Sequence, residues 1–366
     1  MFFFFCILMV LFTYSSQLLA RDKPQIEFGG ALRFQYKYQD WDTHNKRQGG
    51  SLVYDMFRIN ADASYKNIML HAEYRFYAKS FGGGMLKSGW MGYNLREKHF
   101  FKIGLFSCPF GLMPYQSNSF FFNINYYLGL EDDDDFGVGY SLTKSNWKLD
   151  AAFFKNADLY TGDGSEVSPD RYSYDVVGRN KESNTGVARL AFQKDNYEFG
   201  LSGLFGQLYN LDEQKNGNRW SYAIHAKLNF RNLEFKTQFT QYKMNPSGEK
   251  KELIQMGAFN STYWIATSGM TYSACLSYTL SLQRKIVDEI KFYNDFSALN
   301  KNEASFNNSY QNDIGCQITA GPVIVYADLI FGKNHAWFGN DWDCAFAGGN
   351  SNKWNTRLNI NFGYYF

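Results

Sequence analysis

Hydrophobic and polar residues alternate with a period of two along most of the chain. Near the C-terminus Trp354, Thr356, Leu358, Ile360, Phe362, Tyr364 and Phe366 fall on one face, and Asn355, Arg357, Asn359, Asn361, Gly363 and Tyr365 on the other. Successive side chains of a β-strand point to opposite faces, so this pattern predicts a strand with one apolar and one polar side. The same alternation sets Ile26, Phe28, Gly30, Leu32, Phe34 and Tyr36 against Glu27, Gly29, Ala31, Arg33, Gln35 and Lys37. It recurs in Ile68–Tyr77, and again where Trp220, Tyr222, Ile224, Ala226, Leu228 and Phe230 oppose Ser221, Ala223, His225, Lys227 and Asn229. These runs exceed the usual strand length of about 5–6 residues, and aromatic residues gather at their ends.

Sixteen such segments are predicted, at 25–38, 52–65, 67–79, 87–95, 98–106, 135–144, 146–156, 184–194, 196–207, 219–230, 232–243, 271–282, 287–299, 308–319, 322–332 and 354–366. Short junctions such as Lys66-Asn67, Arg96-Glu97, Asp195-Asn196, Arg231-Asn232 and Gln283-Arg284 separate one set of neighbours. Longer connections, at 39–51, 80–86, 107–134, 157–183, 208–218, 244–270, 300–307 and 333–353, separate the other. Short and long connections alternate strictly. Residues 253–267 carry a further strand-like run, which the even parity leaves outside the count. An apolar band with aromatic girdles and a polar inner face is the signature of a transmembrane barrel. In lipid only a helix or a closed barrel pairs every backbone group. The predicted fold is therefore all-β: an antiparallel transmembrane β-barrel of about sixteen strands. A barrel of that size is wide enough for an aqueous channel.

Composition supports this reading. Of 366 residues 19% are aromatic and only six are Pro, yet mean hydropathy is −0.41. A helical membrane protein needs apolar runs of about 20 residues, and none follows the N-terminus. The net charge of +2 gives no support to nucleic acid as a partner.

Met1 to Phe12 is almost unbroken apolar sequence, followed by Thr13–Gln17, then Leu18-Leu19-Ala20 before Arg21. That run is too short to span a bilayer and has the length of a signal-peptide core. We expect residues 1–20 to be a signal peptide cleaved after Ala20, and 21–366 to be the barrel domain. The remaining cysteines, Cys108, Cys275, Cys316 and Cys344, are scattered without metal-ligand spacing. In an oxidising compartment a disulfide involving Cys108 or Cys344 stays open. No metal or cofactor is expected.

Several passages bear a family resemblance. Lys102–Leu112, with Gly104, Phe106, Pro109, Phe110 and Gly111, resembles the G-x-F-x-x-P-F-G passage of the phosphate-selective porin O and P family. Gly257–Tyr263, Lys291–Phe296 and Tyr326–Asn334 resemble blocks of its Bacteroidetes members. The resemblance implies a passive sixteen-stranded porin of the bacterial outer membrane, commonly a homotrimer, in which loop 107–134 folds into the pore. It also implies contact with outer-membrane lipid and with small ions and solutes. Phe366 closes the chain in phase with the apolar face, as the C-terminal aromatic signal read by the barrel-assembly machinery does.

Selectivity is not carried over from the family. Phosphate-specific members place Arg and Lys on the inward loop, whereas this chain has neither between Ile103 and Thr143. Its loop ends in Glu131, Asp132, Asp133, Asp134 and Asp135, which read either as a solvated turn or as a calcium site. The constriction candidates are Tyr115, Phe120, Phe121, Phe122 and Asp132–Asp135. The aromatics, with Tyr126 and Tyr127, either anchor the loop or meet the solute. Strand phase places eleven bases in the lumen: Arg33, Lys37, Arg58, Arg75, Lys102, Lys148, Arg189, Lys227, Lys236, Lys291 and Arg357. Eight acids share that face: Glu27, Asp62, Glu73, Asp150, Glu198, Glu234, Asp295 and Asp328. A mixed wall with a slight basic excess predicts weak anion preference at most, because strong selection needs rings of one sign.

Catalysis is not expected. Of five histidines only His71 and His225 lie mid-strand, and wall residues such as Glu73 or Lys227 are their expected partners. The alternative to a porin is a barrel adhesin or loop-based binding protein using connections such as 157–183 and 333–353.

Overall fold

The computed structural model describes residues 23–366, apart from 97, 158–170, 249–250, 283–285 and 352. The signal-peptide expectation, parts of connections 157–183 and 244–270, one residue of the Arg96-Glu97 junction and the whole Gln283-Arg284 junction thus lie outside the described residues. In chain order the strands are β1 (Gln25–Gln39), β2 (Ser51–Tyr65), β3 (Ile68–Phe76), β4 (Gly84–Leu95), β5 (His99–Ser107), β6 (Asp134–Lys144), β7 (Trp147–Ala157), β8 (Asp175–Val176), β9 (Asn180–Lys194) and β10 (Tyr197–Asn210). They continue with β11 (Lys215–Phe230), β12 (Leu233–Asn245), β13 (Leu253–Ala258), β14 (Ser261–Ala266), β15 (Ser268–Ser281), β16 (Glu289–Lys301), β17 (Ser309–Ala320), β18 (Val323–Lys333) and β19 (Asn355–Tyr365). All but β8, β13 and β14 form one closed antiparallel barrel of sixteen strands.

Each predicted segment overlaps one barrel strand. The seam is β1 against β19, with Leu32 opposite Tyr364 and Arg33 opposite Gly363. Gly30 and Phe366 exchange backbone hydrogen bonds of 2.8 and 3.1 Å there. The turns at Lys66, Ser145, Asp195 and Arg231 put that first residue in the left-handed region, at φ 54, 52, 49 and 53°. Tight hairpins need such a mirror-image turn to match strand twist. Outside, apolar side chains stand bare; Phe28 is 77% exposed and Ile224 60%. Exposed apolar surface of this extent is a lipid face, and a closed barrel carrying it is an outer-membrane structure.

The structure corrects two details and bears out a third. Connection 208–218 shrinks to a tight turn, because Asn210 caps it by accepting hydrogen bonds from the backbone of Asp212 and Glu213. Residues 253–267 stay outside the barrel, as the even parity requires. There β13 and β14 form a hairpin that pairs with β8, Met256 opposite Val176. Four register shifts, at Arg33/Phe34, Glu73/Tyr74, Phe136/Gly137 and Phe205/Gln207, also break the strict alternation, and the first two bear on the site. Arg33 faces Met56 while Phe34 faces Tyr54, which leaves Asp55 as the extra residue. Glu73 faces Ser88 while Tyr74 faces Leu86, which leaves Lys87. An inserted residue reverses the phase of everything beyond it.

Nor is the lumen an open tube. The long-loop end is filled by an apolar cluster that includes Ile124, Tyr127, Tyr174, Tyr263, Phe338 and Phe346. These come from the inward loop, the inner sheet and connection 333–353. Trp342 ties the last of these to the inner sheet by donating its indole N–H to the Thr262 carbonyl at 2.6 Å. The described parts of 157–183 and 333–353 therefore turn inward, away from the surface role that an adhesin would give them.

Candidate functional site

The segment between β5 and β6 runs across the inner faces of β9 to β17. It begins at Gly111, whose φ of +66° and close approach to the Gln238 side chain leave little room for a side chain. The Gly111 N–H donates to Ser202 Oγ at 3.0 Å, and its carbonyl accepts from Arg189 Nε at 2.7 Å. Leu112 N–H donates to Gln238 Oε1 at 2.9 Å. Further on, Asp295 accepts from the side-chain amide of Asn118 at 2.9 Å and from the backbone of Ser119 at 2.8 Å. Ile124 N–H reaches Ser297 Oγ at 3.2 Å and Thr271 Oγ1 donates to Asn125 Oδ1 at 2.6 Å. On the return Gly129 passes so near the inner sheet that a Cβ would lie 2.3 Å from the Tyr174 carbonyl oxygen.

The acidic run is buried, which overturns its reading as a solvated turn. Glu131 accepts from Gln116 N–H at 3.0 Å and Asn123 Nδ2 at 2.6 Å. Burial nevertheless pushes its carboxyl up to about 7. Asp132 and Asp134 share one cation, Lys87, at 2.9 and 2.6 Å. Asp132 also accepts from the Tyr172 hydroxyl at 2.6 Å, and Asp134 from that of Ser107. Asp132 raises the Tyr115 phenol to about 12. Asp133 and Asp135 meet Asp175 instead, with carboxylate oxygens within 4.8 Å of one another, an arrangement able to hold a cation. Burial, then Asp135 and Asp175, hold Asp133 well above the usual carboxylate range. Two guanidiniums stand close by: Arg171 on Asp175 at 3.1 Å and Arg219 on Glu182 at 2.5 Å.

The eleven predicted lumen bases divide into two groups. Seven meet carboxylates: Arg33 with Asp55 at 2.7 Å, Arg58 and Arg75 with Glu73, Lys148 and Arg189 with Asp150, and Lys227 and Lys236 with Glu234. Arg189 adds Glu198 at 2.5 Å. Lys37, Lys102, Lys291 and Arg357 have no carboxylate within 4.0 Å among the described residues. Lys102 lies over the Phe106 ring at 4.1 Å.

Where the inward loop stops short of the β1–β4 wall, a cavity of about 670 Å³ remains. Among the described residues Arg33, Lys37, Arg58, Arg75 and Arg357 line it, against Asp55 and Asp132 as acids. Tyr115, Phe120, Phe121 and Phe122 form the facing rim, together with Tyr326 and Trp337. Arg33 sits 5.0 Å from the Phe120 ring centre and Arg357 4.3 Å from that of Phe121. The loop aromatics thus split by role: Tyr126 and Tyr127 are buried anchors whose rings also border the cavity, while Tyr115 and Phe120–Phe122 rim it. Only Asp132 of the aspartate run reaches the cavity.

Sequence reasoning missed Asp55 and Lys87 because both sit at bulges, which period-two counting cannot see. Arg219 and Asp313 do lie in phase and were legible on β11 and β17. The histidine partners also differ from expectation. His71 bonds Asp62 at 2.7 Å and Ser88 Oγ at 3.0 Å, and His225 lies 3.1 Å from Glu198. The Asp62–His71–Ser88 chain copies the order of a hydrolytic triad. The residue opposite Ser88 is Glu73, however, an acid where a nascent oxyanion needs donors.

No protein-family model and no curated protein matches this chain. Solved structures do. OmpT of Vibrio cholerae aligns with a TM-score of 0.60 at 11% identity, covering 95% of this chain and 99% of that one. The anion-selective porin from Comamonas acidovorans aligns at 0.60 and 10%, covering 94% and 100%. Salmonella typhi OmpF, in complex with daunomycin, aligns at 0.61 and 10%, covering 93% and 97%. At such identities the shared property is the fold, which is that of outer-membrane porins.

Proposed function

We propose that this chain forms a water-filled channel of the bacterial outer membrane for passive diffusion of small hydrophilic solutes and ions. We further propose weak anion preference at most and no tight phosphate site. The cavity beside the inward loop carries this reading, with five bases on its lining against two acids. Both acids are matched, Asp55 by Arg33 and Asp132 by Lys87, so the local excess is positive. It is also modest. Two unit charges about 4 Å apart interact by only about 1 kcal/mol in bulk water, and physiological salt screens them within about 8 Å. A phosphate ladder would need unpaired bases spaced along the path, whereas seven of the eleven predicted bases are paired.

The reading includes export with cleavage after Ala20, recognition of Phe366 by the barrel-assembly machinery, assembly as a homotrimer, and kinship with the porin O and P family. It assigns no catalytic role. The inward course of the described parts of 157–183 and 333–353 supports a channel over an adhesin. The test is the reversal potential across a planar bilayer under a KCl gradient, repeated with phosphate. An ohmic pore with a small shift toward chloride is expected. Absence of conductance overturns the channel, and saturation by phosphate at low concentration overturns the selectivity.

A further inference from the structure

Arg357 and Lys37 are the two cavity-lining bases with no carboxylate partner among the described residues. They are diagonal neighbours across the seam, since Arg357 stands opposite Gln39 and Asn359 opposite Lys37. Arg357 is only 5% exposed. Its guanidinium donates to two neutral side chains, Asn359 Oδ1 at 3.0 Å and Gln35 Oε1 at 3.4 Å. Its Nε is buried without a hydrogen-bond partner. A buried cation with an unmet donor is costly, and the cost is relieved by an anion that reaches it. The acids that act on Arg357 through space, Asp55, Asp328 and Asp313, remain beyond ion-pair distance. Asp55 is already bound to Arg33, and Asp328 accepts from the Tyr293 hydroxyl.

The surroundings select the kind of anion. The rim around this pair is made of ring faces, Phe121 under the guanidinium and Phe120, Tyr326 and Trp337 nearby. Apart from the indole N–H of Trp337, these rings supply no N–H donors, so a phosphate would exchange most of its hydration for one fork, one ammonium and largely apolar surface. A carboxylate has two oxygens, which suit the guanidinium edge and the ammonium. Any flat apolar body attached to it recovers free energy against the rings.

Resting on the channel reading, we propose that Lys37 and Arg357 form a binding subsite inside the pore for small carboxylates with an apolar, ring-sized body. The subsite concentrates such solutes beside the inward loop.

The probe is sodium benzoate, compared with acetate and inorganic phosphate at equal ionic strength, on single channels of the full-length protein purified from outer membranes. Benzoate is expected to reduce chloride conductance saturably, with half-block at a concentration about tenfold below that for acetate or phosphate, a difference of about 1.4 kcal/mol. Arg357→Gln is expected to raise the benzoate half-block concentration about tenfold, the scale of one lost charged hydrogen bond. Lys37→Gln should raise it less, and Arg357→Lys, which keeps the charge but not the fork, should fall between wild type and Arg357→Gln. Should Arg357→Gln fail to yield folded protein, a benzoate half-block raised above wild type in both other variants sustains the subsite, and one unchanged in both overturns it. A conducting channel that the three anions block equally, or whose benzoate block survives in the variants, overturns the subsite and leaves the porin standing. A protein that never conducts overturns the porin reading, and the subsite with it.

Discussion

The wall formed by β1–β4 and β19 and the wall formed by β9–β17 are built from the same kinds of residue, yet they do different work. On the second wall Arg189, Gln238, Ser273, Asp295 and Ser297 hold the inward loop. Charges that sequence alone assigns to the pore are consumed in docking. On the first wall Arg33, Arg58 and Arg75 pair with acids of their own wall and stay at the cavity surface, and Lys37 and Arg357 are left with none. A basic residue in a barrel lumen is therefore a pore residue only where no loop covers it.

The contact between the walls can be broken at Lys87, which belongs to the first wall but binds the end of the loop. Lys87→Met leaves Asp132 and Asp134 buried without their cation. Loss of one partner of a buried pair costs about 3–5 kcal/mol, so a clear fall in the denaturant midpoint is expected, measured by heat-modifiable gel mobility or tryptophan fluorescence. An unchanged midpoint would mean that the loop is held by the second wall alone.

A smaller effect is expected at Asp295, which holds the loop tip through Asn118 and Ser119. Asp295→Ala removes bonds worth about 1 kcal/mol or more each. The tip should then leave the wall part of the time, giving larger and noisier single-channel conductance with little change in global stability. Conductance indistinguishable from wild type would show that the tip is fixed by packing.

The smallest effect is one of pH. Glu131 keeps its proton to about pH 7 in the docked loop, but only to the ordinary value of 4.5 in the unfolded chain. Between those values the folded protein binds the additional proton, so stability falls as pH rises from about 4.5 to 7 and levels off above. Asp133 acts in the same direction. Glu131→Gln should make the dependence of the unfolding midpoint on pH shallower in that window and leave it alone above it. A slope identical to wild type would remove Glu131 as a titrating group.

Much of the barrel was legible in the chain because lipid outside and water inside impose opposite demands on alternate residues. Trp354–Phe366 shows this plainly: every even position is apolar or Thr, and the strand lies where the pattern put it. The candidate site was less legible, for three physical reasons. Bulges at Asp55 and Lys87 invert the phase locally, so the two charges that organise the first wall look misplaced in sequence. The aspartate run looks solvated because its partners, Lys87 and Tyr172, are 40 or more residues away. Residues 253–267 have strand propensity without the two-solvent pattern, since both faces of β13 and β14 sit inside the lumen.

The seam has a consequence in time. Arg33 of β1 pairs with Gly363 of β19, some 330 positions later, so the first strand waits for the last before its free edge is covered. Closing so long a loop carries a high entropic cost before any closing contact repays it. Until then the β1 edge is an open template for pairing with another chain. Escort of the unfolded chain matters most during that interval, and a second copy offering its own unpaired β19 in place of the first chain's is the natural error of this assembly.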